Sequence, residues 1–137
     1  MPNIVVEYTD NIRAEADIPG LLRTMADTVQ AAGQGAFPLA AVRIRAIELK
    51  DYIIGDGKPE FAFVNISVKL AKGRPEEDKT RTFGAVWEAV KAHLKPVDES
   101  RVLAISMDVE EFGDRIAYKQ NRLHELFGTK PFAKVIS

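Results

Sequence analysis

The sequence predicts an α+β fold in which a duplicated β-α-β unit forms a four-stranded mixed sheet with two helices on one face. Apolar runs of strand type and of helix type follow each other in the order strand, helix, strand, strand, helix, strand. The turn signal Gly55-Asp56-Gly57 separates two units, about 2–56 and 57–112, and leaves a tail of about 113–137. A length of 137 residues accommodates one domain, so we treat 1–137 as a single domain.

The first unit opens with a β-branched strand over Asn3–Tyr8. A helix is predicted over about Ile18–Ala32, because its apolar residues recur at helical spacing. Asp17 is suited to the N-cap of this helix, and Gly33 ends the pattern.

The second strand is predicted within Val42–Ile54. Side chains alternate between the two faces of a strand, so Val42 and Ile44 share one face. Arg43 and Arg45 then lie together on the opposite face, away from the helices.

The second unit repeats this order of elements. A strand is predicted over Phe61–Leu70, where apolar residues alternate, and Pro75 is suited to the start of the following helix. Pro96 is expected to end that helix, because proline cannot donate the next backbone hydrogen bond. The last strand is predicted over Val102–Phe112.

The predicted sheet face opposite the helices is too apolar for free solvation, so we expect another subunit to cover it. It combines aromatic with small polar residues: Phe61, Phe63, Asn65, Ser67, Ala104 and Ser106. The tail has no obvious place in a two-layer domain and is predicted to pack on a neighbouring subunit, through Phe127, Phe132, Val135 and Ile136.

The composition excludes several classes of site. The formal net charge of −1 argues against a protein that mainly binds nucleic acid. There is no cysteine, and His93 and His124 are the only histidines, so we expect no metal site and no redox cofactor. No apolar run is long enough to span a membrane, and the start does not have the pattern of a signal peptide. A soluble cytoplasmic protein is the expectation.

Four residues are candidates for chemistry. Removal of Met1 would leave Pro2 with a secondary amine, and such an amine near neutrality can act as general base and then general acid. Arg43 and Arg45 on one strand face, together with Arg74 beside Gly73 at a strand-to-helix junction, are suited to binding carboxylates.

These residues stand within motifs that resemble the 5-carboxymethyl-2-hydroxymuconate Δ-isomerase family of the tautomerase superfamily. The ordered motifs cover about Pro2–Phe127: the opening Met1–Ile12, Phe37-Pro38-Leu39-Ala40 before Val42–Arg45, Gly73-Arg74, Glu99-Ser100-Arg101 before Leu103–Ser106, and Lys119-Gln120-Asn121. The Gly73-Arg74-Pro75 junction and the Val42-Arg43-Ile44 strand entry are also similar to the small 4-oxalocrotonate tautomerases.

The resemblance implies a tautomerase (MIF-like) fold, a homotrimer and isomerase activity in aromatic catabolism without a cofactor. Pro2 would be the catalytic base, and Arg43 and Arg74, with Arg45 as a third candidate, would bind the substrate. The implied substrate is an unsaturated oxo or hydroxy di- or tricarboxylate whose double bond moves by 1,3- or 1,5-proton transfer. No nucleic acid or membrane partner is expected.

Three alternatives remain open at this point. The chain could be a tautomerase acting on another enol or keto acid, such as phenylenolpyruvate. The same order of elements also suits a ferredoxin-like binding module, including one that stacks RNA bases on strand aromatics such as Phe61 and Phe63. A non-catalytic structural trimer is the third.

Overall fold

A computed structural model describes residues 2–128 of the chain. Its elements, in chain order, are β1 (Asn3–Thr9), α1 (Arg13–Ala16), α2 (Ile18–Gly33), β2 (Arg43–Leu49), β3 (Ala62–Leu70), α3 (Glu76–Ser100), β4 (Leu103–Glu111) and α4 (Leu123–Phe127). The predicted four strands and two long helices are confirmed, while the short helices α1 and α4 were not predicted. No helix within residues 2–128 has the length and apolar composition needed to cross a membrane.

The four strands form one mixed sheet in the order β2-β1-β3-β4. β1 is parallel to β2, β3 is parallel to β4, and the two central strands are antiparallel. Asn3 therefore pairs with Arg43 on one side and with Lys69 on the other. The starts of β1 and β2 meet the ends of β3 and β4 at one end of the sheet, which we call the Pro2 end.

The core lies between one face of the sheet and the two long helices, as the alternating pattern predicts. β1 and β3 bury every second side chain on this face, and α2 and α3 bury one stripe each. The largest fully buried side chains include Ile4, Val6, Leu21, Met25, Val64, Ile66, Val68 and Leu94. Each such side chain contributes about 1.5–3 kcal/mol by leaving water, so this face holds the sheet and helices together.

The opposite face of the sheet remains half open. Phe61, Phe63 and Asn65 are only partly buried, and Ile47 is 44% exposed. Short polar contacts cross this face between strands: Asn65 donates to the Glu7 carboxylate at 3.4 Å, and the Ser106 hydroxyl donates to Asn65 at 2.8 Å. The face combines apolar and polar groups, as the sequence predicts.

β2 is shorter than the predicted Val42–Ile54 and ends at Leu49. β2 is an edge strand whose only partner in the described sheet is β1. Thr9, the last residue of β1, pairs with Leu49. Beyond this point the chain has no strand to pair with, so it bends away despite its apolar residues.

The prediction that Pro96 ends the second long helix is wrong, because α3 continues through Pro96 to Ser100. Proline removes one backbone hydrogen bond, which disfavours a helix interior. The last turn is held by packing instead: Val97 is 1% exposed, and its carbonyl accepts a hydrogen bond from the Arg101 backbone at 3.0 Å. Burial of Val97 in the core offsets the lost bond.

The described part of the tail folds back onto its own chain. The Phe112 backbone N–H donates to the Leu70 carbonyl at 2.8 Å, and the Asn121 side chain donates to the Ala40 carbonyl at 2.9 Å. Residues 113–122 therefore pass over the Pro2 end of the sheet. The predicted contact of the tail with a neighbouring subunit stays a prediction, and Phe132, Val135 and Ile136 lie outside the described residues.

Candidate active site

Two cavities of similar size lie at the surface, and their charges differ. The first, of about 510 Å³, lies between α3 and β4 and is lined by Trp87, Met107 and the charged Glu76, Lys79 and Glu111. Lys79 Nζ is 3.3 Å from a Glu76 oxygen and 2.9 Å from a Glu111 oxygen. The one cation of this cavity is thus neutralised twice, so the cavity is not suited to binding an anion.

The second cavity, of about 520 Å³, lies at the Pro2 end of the sheet. Its walls are Asn3 and Arg43 at the starts of β1 and β2, Ala71 after β3, and Phe112 with the segment 115–121 after β4. Arg43, Arg115 and Lys119 line it, whereas no aspartate or glutamate does. Its volume is typical of small-molecule sites, and its charge favours a ligand with several negative groups. We call it the cationic cavity.

Pro2 is buried directly beside the cationic cavity, although its own side chain does not line it. Its carbonyl accepts a hydrogen bond of 3.1 Å from the Arg43 backbone N–H. Asn3, the next residue, lines the cavity. The parallel pairing of β1 with β2 therefore holds Pro2 and Arg43 at one place in the fold.

Arg74 lies behind the cationic cavity and is held tightly in place. Its residue is 6% exposed, its Nε donates to the Ala36 carbonyl at 2.9 Å, and its guanidinium lies 4.7 Å from the centre of the Phe37 ring. Burial lowers the pKa of Arg74 from its usual value. Gly73 precedes it with a φ of 114°, a conformation that side chains rarely adopt, so glycine is suited to the turn that places Arg74.

Arg45 does not line the cavity and is more exposed than the other two predicted arginines. It is exposed on the open sheet face, and its Nη1 donates to the Asn3 side-chain oxygen at 2.6 Å. The three arginines therefore play different structural parts: Arg43 lines the cavity, Arg74 lies behind it, and Arg45 contacts a residue of its wall.

Sequence reasoning missed two further cations of this site. The Arg115 guanidinium lies 3.8 Å from the centre of the Phe112 ring, which fixes it at the wall of the cavity. Partial burial is the main cause that lowers the pKa of Lys119, and the positive charges of Arg115 and Arg74 lower it further. A signal was present: the run from Arg115 to Arg122 contains three cations and no carboxylate.

The arrangement is suited to binding anions. Arginine and lysine form charge-assisted hydrogen bonds to carboxylates, and these are stronger where few acidic side chains compete. Within the part of the chain that the structure describes, no group of three or more His, Asp or Glu side chains is placed to hold a metal ion.

Comparison with known proteins places these features in a family. Residues 2–127 match the model of the 5-carboxymethyl-2-hydroxymuconate isomerase family. The chain is 38% identical over 127 residues to a 5-carboxymethyl-2-hydroxymuconate Δ-isomerase of Escherichia coli, covering 93% of this chain and 99% of that protein.

Solved structures agree with the sequence match. A 5-carboxymethyl-2-hydroxymuconate isomerase from Deinococcus radiodurans R1 superposes with a TM-score of 0.85 at 31% identity, over 92% of this chain and 93% of that one. A fused 4-OT symmetric trimer, at 23% identity and a TM-score of 0.57 over 83% and 89% of the two chains, shares the fold. The chain belongs to the 5-carboxymethyl-2-hydroxymuconate isomerase family.

Proposed function

We propose that this protein isomerises 5-carboxymethyl-2-hydroxymuconate, with the amino-terminal Pro2 as its acid–base group. The observation that carries the proposal is a family match over residues 2–127, together with a cationic cavity beside Pro2. The substrate carries three carboxylates and a 2-hydroxyl group on a conjugated chain. A polyanion of this kind matches a cavity lined by cations and no acids.

Pro2 supplies the proton-transfer group once Met1 has been removed. The neutral secondary amine accepts the proton of the substrate 2-hydroxyl group and leaves a dienolate. The protonated amine then returns the proton to a carbon of the conjugated chain, so the double bond moves and the C2 oxygen becomes a ketone. Pro2 is buried beside a cavity lined by cations, and burial and nearby positive charge both disfavour protonation of an amine.

The arginines stabilise the charge that develops during this transfer. Arg43 lines the cavity and Arg74 lies behind it, so both lower the energy of a dienolate formed near Pro2. Acid–base catalysis by a positioned group contributes about 10²–10⁴-fold. The rest of the acceleration comes from holding the carboxylates in place and from electrostatic stabilisation.

We infer that the working unit is a homotrimer, as in the fused 4-OT protein that is titled a symmetric trimer. The open sheet face, with partly buried Phe61 and Phe63, and the exposed apolar groups of the tail support an assembly. Ile116 is 83% exposed and Tyr118 is 93% exposed. Neighbouring subunits would cover these groups and close the cationic cavity from outside.

Pro2→Ala tests the assignment of the base. We expect kcat on 5-carboxymethyl-2-hydroxymuconate to fall about 100-fold or more, with the trimer intact by size-exclusion chromatography with light scattering. Pro59→Ala is a matched control, because Pro59 is exposed in a loop at the other end of the sheet and should leave kcat unchanged. Intact-mass measurement should find Met1 absent from active protein.

Two results would overturn parts of this proposal. Full activity with Met1 still attached would exclude the amine mechanism, because an acylated proline nitrogen cannot accept a proton. A strong preference for a monocarboxylate enol such as phenylenolpyruvate would exclude the tricarboxylate as the substrate.

A further inference from the structure

The cationic cavity contains more positive charge than a dicarboxylate needs. Arg43, Arg115 and Lys119 line it, and Arg74 is close enough to lower the pKa of Lys119. The whole chain has a net charge of −1, so three cations and no acidic side chain around one cavity are a local excess of positive charge. Like charges held close together destabilise the free protein, and a ligand with matching negative charge relieves that repulsion.

Arg115 and Lys119 differ from the other two cations in their origin. Arg43 and Arg74 come from the β-α-β units, whereas Arg115 and Lys119 come from the irregular segment after β4. Asn121 anchors that segment through its bond to the Ala40 carbonyl. The segment therefore forms a wall of the cavity that is separate from the one built by the sheet.

The two cations of this wall have no acidic partner among the described residues. The groups that perturb Lys119 are both positive, and no carboxylate of residues 2–128 forms an ion pair with it. The Arg115 guanidinium lies 3.8 Å from the centre of the Phe112 ring, a contact that holds the group in place without using its N–H donors. Both groups are thus placed to bind a ligand oxygen.

We propose that Arg115 and Lys119 bind the carboxymethyl carboxylate of the substrate and set a preference for tricarboxylates over dicarboxylates. This inference rests on the proposed function and deepens it. Arg43, which lines the cavity, serves the carboxylates of the conjugated chain, and Arg74 behind the cavity adds positive charge. The third carboxylate, on the branch, reaches the wall formed by the segment after β4.

The preference follows from what each substrate leaves unpaired. A tricarboxylate neutralises Arg115 and Lys119, whereas the matching dicarboxylate leaves both of them without a counter-charge from the ligand. Removing one of these cations therefore weakens binding of the tricarboxylate and leaves binding of the dicarboxylate nearly unchanged. A residue with a merely structural role would affect both substrates equally.

The test compares kcat/KM for 5-carboxymethyl-2-hydroxymuconate and for 2-hydroxymuconate, which lacks the carboxymethyl branch. In Lys119→Met we expect the value for the tricarboxylate to fall about 10- to 100-fold, mainly through KM, because one charged hydrogen bond is lost. The value for the dicarboxylate should change less than about threefold. Arg115→Met should behave in the same way, and Lys119→Arg should restore the preference.

Arg122→Met is the matched control, because Arg122 lies in the same segment, does not line the cavity and has a side chain that is 84% exposed. The preference of Arg122→Met for the tricarboxylate over the dicarboxylate should equal that of the unmodified protein. An equal loss on both substrates in Lys119→Met, or no loss on either, overturns the inference.

Binding separates failure of this inference from failure of the proposed function. Calorimetry with propane-1,2,3-tricarboxylate and with glutarate measures the preference without turnover. If the unmodified protein isomerises neither substrate, the proposed function fails, while a Lys119-dependent preference for the tricarboxylate still supports the inference. Equal affinity of the unmodified protein for both ligands overturns it.

Discussion

Arg74→Met removes the guanidinium that lies behind the cationic cavity while keeping an apolar chain over Phe37. The structure gives two contacts that disappear: the hydrogen bond of 2.9 Å from Nε to the Ala36 carbonyl, and the approach of 4.7 Å to the Phe37 ring. A hydrogen bond to a charged group contributes about 1.5–3 kcal/mol. A cation over a desolvated ring adds about 0.5–2 kcal/mol.

Burial of the charge opposes these contributions. Burial lowers the pKa of Arg74, which means that the folded protein disfavours its charged form. Methionine removes that penalty and fills much of the same volume. We therefore expect the free energy of unfolding to fall by only about 1–2 kcal/mol, within the range of ordinary substitutions.

The effect on catalysis should be larger than the effect on stability. A buried positive charge near developing negative charge stabilises it where water is excluded, so kcat/KM for the tricarboxylate should fall about 100-fold, in kcat and KM together. Steady-state kinetics and urea unfolding on the same preparation measure the two effects separately.

Arg81→Met provides the matched control. Arg81 also donates to carbonyls at the end of α2, at 2.8 Å to Ala32 and 3.1 Å to Gly33, and it lies outside the cationic cavity. It should lose a comparable amount of stability and retain kcat/KM within about threefold. Unchanged kinetics in Arg74→Met, or an equal loss of activity in Arg81→Met, would refute the role of Arg74.

Three further predictions concern the same end of the sheet. Burial and the positive charges of Arg115 and Arg74 lower the pKa of Lys119, so its ammonium loses the proton below the usual lysine range. KM for the tricarboxylate should therefore rise as the pH increases through this pKa. Lys119→Arg should remove the alkaline rise in a pH profile of KM. Gly73→Ala should lower the free energy of unfolding by about 1–2 kcal/mol in urea titrations, because a φ of 114° strains an L side chain, and a value within error of the unmodified protein would contradict this. Added salt should raise KM more steeply for the tricarboxylate than for the dicarboxylate, because screening weakens contacts to exposed cations. Equal dependence of the two KM values on salt concentration would contradict an additional contact between the tricarboxylate and an exposed cation.

The elements that sequence reasoning predicted well are those specified by local chemistry. β3 lies within a residue of its predicted range, because its alternation follows burial of one face against the helices. α2 begins after Asp17, whose side chain accepts from the Gly20 backbone at 3.2 Å, and ends at Gly33, as predicted. These signals act within a few residues and need no knowledge of the rest of the fold.

The elements that were misjudged depend on distant contacts. α3 passes Pro96 because Val97 is buried in the core, and β2 stops at Leu49 because β1 offers no further pairing. A local pattern identifies a residue that disfavours a helix or favours a strand. It does not identify the distant packing or pairing partner that overrides this local preference. The strength of packing and the length of the neighbouring strand decide both boundaries.

The candidate site divides in the same way. Pro2, Arg43 and Arg74 were predicted from their positions in recognisable motifs, and the fold brings the three to one end of the sheet. Their roles in catalysis and binding stay predictions. Arg115 and Lys119 were missed because they lie in an irregular segment, where no periodicity indicates which way a side chain is directed.

The amino-acid sequence by itself determined the inventory of chemistry: no cysteine, two histidines, a proline after Met1 and an even balance of charges. It also determined the order of strands and helices, because the local spacing of apolar and capping residues indicates which segments form strands or helices. Only the tertiary structure decided which cations share one cavity and which are neutralised by acids. That outcome depends on antiparallel pairing of β1 with β3 and on the return of the chain after β4, which bring residues distant in sequence to the same end of the sheet.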